Sequence, residues 1–154
     1  SGTQRVYLNG YDVSEEIRRP EISMAASNVS ALPAVRQFLF ALQQNLAMEH
    51  NVVMDGRDIG TVVLPRAQVK IFLTASVEDR ARRRFDELTA KGRSVTYEEV
   101  LEDIRKRDES DTNRAIAPLK QARDALLVDT TGNTLERSID ILLKLVKEQL
   151  AHVL

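Results

Sequence analysis

Residues 52–65, VVMDGRDIGTVVLP, decide how the rest of the chain is read. Val52, Val53 and Met54 are an apolar run suited to a buried strand. They lead into Asp55-Gly56-Arg57-Asp58, and a second apolar run, Thr61-Val62-Val63-Leu64, follows. The expectation is a strand over 51–55 with two carboxylates and a guanidinium at its carboxyl end, where open α/β sheets bind ligands. The plainer alternative is a strand-to-loop turn with Gly56 at positive φ.

Downstream of this stretch, QVKIFLTA (68–75) reads as a strand of the kind covered on both faces in a parallel sheet. Ser76 is placed to cap a helix over 77–91, with Asp79 as the capping-box acid, Gly92 as its stop, and Val77, Ala81, Phe85 and Leu88 on one side. Thr96 and Glu99 repeat the S/T-x-x-E start signature, and the helix behind them turns Val100, Leu101 and Ile104 inward. ALLVDT (125–130) is a further buried-type strand. A closing amphipathic helix is expected over 134–152, with Leu135, Ile139, Leu142, Val146 and Leu150 on its stripe.

Upstream, Gln4–Leu8 reads as a short strand ended by the Asn9-Gly10 turn signal. A short helix is expected in 13–28, beginning near Pro20. Ser30 looks like the N-cap of a longer helix over 31–50, with Val35, Leu39, Leu42 and Leu46 at helical spacing. The region 11–50 carries no strand pattern and reads as a helical insertion. Strands alternating with helices elsewhere give the fold class: α/β with a parallel sheet.

The 154 residues suffice for one domain with a real core, and 43% of them are apolar. Cysteine is absent, which excludes disulfides and thiolate metal sites and fits a reducing, cytoplasmic setting. No leader or membrane-spanning run is expected. A formal net charge of -1 argues against a general binder of nucleic acid. The arginines cluster instead in 80–84 and 105–114, which points to a local anion site. Arg80 and Arg84 share a helix face. Arg107, Asp111 and Arg114 form one stripe of the next helix. Two arginine-bearing helices around a short linker, 92–96, could fold guanidinium groups over phosphates, whose oxygens they bind bidentately. Taken by spacing alone, such a stripe is more often a solvated face with weak ion pairs. His50 and His152 stand apart and read as surface residues, and Ser27 and Ser30 have no hydrolase-triad pattern around them.

Five segments in order, LNGYDVSEEIRRPEIS, ASNVSALPAVR, DGRDIGTVVLP, RARRR and RDESDTNRAIAPL, resemble bacterial cytidylate kinases, a family of nucleoside monophosphate kinases. The resemblance runs across nearly the whole chain. It implies a P-loop NTPase-like three-layer parallel sheet, here incomplete, with a helical monophosphate-binding insertion at 11–50 and an arginine-rich lid at 92–118. Residues 1–10, 51–91 and 119–154 would then belong to the core. It implies phosphoryl transfer from ATP, with Mg²⁺, to CMP or dCMP, by a monomer using no nucleic acid or membrane partner.

Residue by residue, the resemblance puts Ser27 and Arg36 at the cytosine edge, and Arg57 near the phosphate with Asp58 near the base. Arg107 and Asp111 fall at the ribose and phosphate region, and Arg114 over base and phosphate. Arg80 and Arg84 lie against ATP, the first stacking on adenine. Arg57, Arg84, Arg107 and Arg114 are the groups implied to act in catalysis. The chain departs from the pattern at Gln43-Gln44, where the family has Gln-Arg. It also contains no G-x-x-x-x-G-K phosphate loop. The family's phosphate-loop strand lies between the strands matching 51–55 and 68–75. Without it, the expectation is that these two strands pair directly, that the chain self-associates through open strand edges, or that the segment is supplied separately. The chain alone is then expected to be inactive. A non-catalytic CMP-binding or interaction module is the alternative reading, and a rearranged fragment without a native ligand is a third.

Overall fold

The computed structural model describes residues 4–113 and 116–151 and divides into two compact units, one running to Val52 and the other beginning at Val53. In the first, strands β1 (Tyr7–Leu8) and β2 (Tyr11–Asp12) form an antiparallel hairpin. Asn9 and Gly10 between them both have positive φ, 52° and 85°, the backbone a tight two-residue hairpin turn requires. The Asn-Gly signal therefore marks a hairpin, so the region 11–50 does contain a strand. Ser14 steadies it: its hydroxyl accepts from the Val6 N–H at 2.8 Å and donates to the Asp12 carboxylate at 2.6 Å.

After a 3-10 turn at Glu16–Arg18, helix α1 spans Pro20–Ser30 and α2 spans Pro33–Glu49. Ser30 is not the N-cap of α2. It closes α1, donating its hydroxyl to the Ser27 carbonyl at 3.0 Å, while Leu32 precedes α2 and Pro33 occupies its first turn. Proline at the first helical position makes a side-chain cap less necessary, because one donor is already missing. Val35 and Leu39 on α2 are half-buried, but Leu42 and Leu46 of the expected stripe are exposed.

In the second unit, β3 (Ile71–Thr74) and β4 (Leu126–Asp129) pair in parallel, Ile71 opposite Leu126 through Thr74 opposite Asp129. Between them in sequence come α3 (Val77–Ala90) and α4 (Tyr97–Asn113), and α5 (Leu135–Ala151) follows β4. The parallel pair among helices bears out the α/β class. The strand expected over 51–55 is absent: these residues are irregular and Val53 is fully exposed. A strand forms only where a neighbour takes up its N–H and C=O groups, and β3 is paired with β4. Direct pairing of 51–55 with 68–75 does not occur. The second apolar run instead winds into a π-helical turn, Ile59–Val63, burying Val63.

The buried apolar cluster lies between α3 and α4, where Ala81, Leu88 and Val100 are enclosed by Phe85, Val95, Tyr97, Leu101 and Ile104. Phe85 and Tyr97 meet edge to face with centroids 6.3 Å apart, and the Arg82 guanidinium covers the Tyr97 ring at 4.6 Å. The turn between the helices is built as the sequence suggests. Gly92, at φ 72°, donates to the Thr89 carbonyl at 2.9 Å, and Arg93 donates to Leu88 at 3.0 Å, which is a Schellman stop. Thr96 and Glu99 then close a full capping box, with Glu99 Oε2 accepting from the Thr96 N–H at 2.8 Å and Thr96 Oγ1 accepting from the Glu99 N–H at 3.2 Å.

The start of α3 is only half such a box. Ser76 Oγ accepts from the Asp79 N–H at 3.1 Å, but the Ser76 N–H goes to Thr131 Oγ1 at 2.8 Å. Asp79 is one methylene shorter than the glutamate of a capping box. Its carboxylate instead takes the Gly132 N–H at 3.3 Å and pairs with Arg83 at 2.5 Å. On α5 the half-buried face is Ser138, Ile141, Leu142, Leu145, Val146 and Gln149. Leu135, Ile139 and Leu150 of the expected stripe are exposed. Apolar residues occupy more than half of this helix's circumference, so several stripes satisfy a 3.6-residue period.

Candidate functional site

From the loop Asp55–Asp58, Arg57 reaches a partner on α4. Gly56 does not have positive φ. Its role is close approach, since a Cβ at this position would sit 2.8 Å from Ile59 Cγ1. The Asp58 carbonyl accepts from the N–H groups of Val62 and Val63 at 2.9 and 3.2 Å, which fastens the loop to the π-helical turn. Held in this way, Arg57 donates from Nε to Asp111 Oδ2 on α4 at 2.9 Å. Asp111 is buried, and Arg107, one turn earlier on the same helix, places its Nε 4.0 Å from the same oxygen. The Asp111 carbonyl also accepts from the Leu119 N–H at 2.8 Å, tying the chain beyond α4 to the helix end. Arg57 is thus brought across 54 positions of sequence to Asp111 and to Arg107, its neighbour on α4.

Arg80 is the second junction. Its Nε donates at 3.0 Å to the carbonyl of Ala75, the residue directly after β3. Its Nη1 and Nη2 donate to the two oxygens of Asp108 at 2.9 and 2.7 Å. This bidentate fork links the carboxyl end of the sheet to α4. The Asp108 carboxylate raises the pKa of the guanidinium above its ordinary value. Arg84, four residues on, instead pairs along its own helix with Glu87 at 2.7 Å. Lys91 reaches the other Glu87 oxygen at 2.7 Å, and these two cations, Lys91 foremost, hold the Glu87 carboxyl below its usual pKa.

Arg83 works at the end of β4. It donates from Nη2 to the Thr130 carbonyl at 2.6 Å, while the buried Thr130 hydroxyl donates to the Thr74 carbonyl at 3.0 Å. These bonds fix α3 across the carboxyl ends of both strands. Ser27 on α1 and Arg36 on α2 lie in the first unit, Ser27 exposed and Arg36 half-buried. Arg114 and His152 lie outside the described residues, and His50 is exposed at the end of α2.

Sequence reading passed over Asp108 and Arg83. Asp108 stands three residues before Asp111, so the two carboxylates are neighbours on a helix. That spacing was the available signal, but only the fold shows that each meets an arginine from a different element. Among the described residues no group of three or more metal-ligating side chains occurs, and no helix is long and apolar enough to cross a membrane.

A small parallel sheet among helices, with Arg80 and Arg83 bonded at the carboxyl ends of its two strands, fits a P-loop NTPase-like kinase fold. The family model described as cytidylate kinase matches residues 1–148. The chain is 56% identical over 143 residues to a cytidylate kinase of Carboxydothermus hydrogenoformans, covering 93% of this chain and 64% of that protein. It is 57% identical over 137 residues to one of Caldanaerobacter subterraneus subsp. tengcongensis (89% and 61%), and 49% over 152 residues to one of Caldicellulosiruptor bescii (96% and 67%). The chain therefore belongs to the cytidylate kinase family. It spans about two thirds of the length of these curated relatives.

Proposed function

We propose that this chain forms the monophosphate-binding and lid portions of a cytidylate kinase, which transfers the γ-phosphoryl group of ATP to CMP or dCMP. The observation that carries this reading is the junction at Asp111, where Arg57 from the DGRD loop meets Arg107 from α4. Phosphoryl transfer asks little covalent chemistry of the protein and much charge stabilisation. Guanidinium groups already held in place supply it without reorganisation. An incoming phosphate would engage the Nη groups of Arg57 and Arg107, with Asp111 keeping both oriented through their Nε atoms.

Ser27, Arg36 and Asp58 are the groups assigned to the cytosine, Arg107 and Asp111 to the ribose and phosphate region, and Arg114 to base and phosphate, with Arg57, Arg84, Arg107 and Arg114 acting at the reacting phosphates. Discrimination against uracil would follow from polar groups left unpaired by the wrong base. Residues 11–50 are the monophosphate-binding insertion and 92–118 the lid. Mg²⁺ enters with ATP as part of the substrate. The 154 residues hold no G-x-x-x-x-G-K loop, so we expect the chain by itself to bind the acceptor without transferring phosphate.

Calorimetric titration with CMP, using UMP and AMP as controls, tests the reading. Selective binding of CMP supports it. Equal or absent binding of all three overturns it. Selective binding together with no transfer, even in the natural full-length protein, would favour a non-catalytic CMP-binding module.

A further inference from the structure

We propose that Lys70 is a positioning residue for the acceptor phosphate: its ammonium ties the Pro65 end of the turn behind the DGRD loop to Asp124, ahead of β4, and so sets where Arg57 stands. The inference rests on the kinase reading above and adds to its acceptor side a residue that touches no ligand.

Lysine is seldom buried unless its charge is met. The Lys70 side chain is only 6% exposed, and the residue directly precedes β3. Its Nζ donates to the Asp124 carboxylate at 2.7 Å and to the Pro65 carbonyl. The stem runs beside Gly60 of the π-helical turn, its Cδ 3.5 Å from where a Cβ would lie, and Ala122 Cβ borders the same space at 3.9 Å. Lys70 is itself fixed, since its carbonyl accepts from the Leu126 N–H at 2.9 Å as the parallel pair begins. One side chain thus joins the turn, the head of β3 and the segment ahead of β4. The Asp124 carboxyl is 67% exposed, and its hydrogen bond from Lys70 holds it below its ordinary pKa.

The turn carries this anchorage back to Arg57. The Asp58 carbonyl is held by the N–H groups of Val62 and Val63, and the Ile59 carbonyl accepts from the Leu64 N–H at 2.7 Å, so the stretch from Asp58 to Pro65 moves as one piece. At one end Arg57 meets Asp111, and at the other Pro65 meets Lys70. Lys70 stands at the amino end of β3, whereas ligands of open α/β sheets lie beyond the carboxyl ends. It therefore acts on the phosphate through Arg57. Donors held in place stabilise charge because nothing has to reorganise when the ligand arrives, and a turn loose at its Pro65 end gives that up.

The test uses the natural full-length protein that carries this chain, with Lys70→Met, which keeps the stem, and Asp124→Ala, which removes the exposed partner of the ammonium. Each is titrated with CMP and with cytidine, alone and combined with Arg57→Met. Lys70→Met should weaken CMP binding by about threefold to tenfold, and Asp124→Ala by about twofold to threefold. Cytidine, which has no phosphate for Arg57 to meet, should bind unchanged. On the Arg57→Met background neither substitution should weaken CMP further, because the group they position is already gone.

A mere brace of the fold predicts something else: a lower melting temperature with the ratio of CMP to cytidine affinity unchanged, or losses that multiply in the double variants. Either result overturns the proposal. Should Lys70→Met fail to fold, Asp124→Ala decides by the same ratio. A wild type that binds CMP no better than UMP and AMP counts instead against the kinase reading.

Discussion

Removing the guanidinium of Arg57 isolates the carboxylate of Asp111, and the structure sets the size of the effect. The pair makes one bond, Nε to Oδ2 at 2.9 Å, with Asp111 only 11% exposed and Arg57 38% exposed. A charge-assisted hydrogen bond contributes about 1.5–3 kcal/mol. Water around the exposed arginine lowers this, and Arg107, 4.0 Å from the same oxygen, compensates in part. Arg57→Met, which keeps the apolar stem, should therefore destabilise by about 1–2 kcal/mol. At about 4 °C per kcal/mol for a chain of this size, the melting temperature falls by about 4–8 °C. Asp111→Asn removes the charge from the other side. Thermal melts of the two single variants and the double variant give the coupling directly, and about 1 kcal/mol is expected. A coupling below about 0.3 kcal/mol would show that the junction contributes nothing to the fold, and that Arg57 is held by the loop rather than by its partner.

Two other perturbations probe separate features. Gly56→Ala pushes a methyl group against Ile59 Cγ1, which belongs to a branched side chain at the start of the π-helical turn. It should cost about 1–3 kcal/mol and weaken CMP binding by moving Arg57, whereas Gly60→Ala, whose nearest contact is 3.5 Å, should do neither. Acid should weaken the fold in part through two carboxylates that accept local hydrogen bonds, Glu99 in its capping box and Asp129 at the end of β4. Glu99 is held below its ordinary pKa, chiefly by the Thr96 N–H, and Asp129 likewise, by the Thr131 hydroxyl first. Folded values lower than unfolded ones mean stability that is complete above the unfolded pKa and is lost as pH falls through the folded one. The melting temperature should therefore hold steady down to about pH 5 and drop below about pH 4, and Glu99→Gln should flatten part of that drop.

What the amino-acid pattern reveals here is what neighbours in sequence decide. The Gly92 stop, the Thr96–Glu99 box and the Ala81–Phe85–Leu88 face all involve residues within a few positions of one another, and all form as read. The strand at 51–55 does not, because a strand depends on a partner elsewhere and its composition is silent about whether one is present. The stripe on α5 was ambiguous because apolar residues extend around most of the helix. At the candidate site, the arginines were legible as a cluster, but their pairing was not. Arg57 with Asp111 joins residues 54 positions apart, and Arg80 with Asp108 joins residues 28 apart. Spacing on one helix suggested the weak i,i+4 contact of Arg107 and gave no sign of the bidentate fork beside it.

The hairpin of α3 and α4 has a consequence for how the chain reaches this state. Its buried cluster is made by residues between 81 and 104, joined by one short turn whose Gly92 and Thr96 already prefer the native backbone. The parallel strands, by contrast, bring together residues 71 and 126, and closing so long a stretch of chain costs entropy before any pairing repays it. Contacts local in sequence form sooner. The expected order is hairpin first, with Arg80 and Arg83 carried on its first helix, ready to catch the strand ends as they arrive. Substitutions such as Val100→Ala should then slow refolding, while Val128→Ala in β4 should act mainly by hastening unfolding.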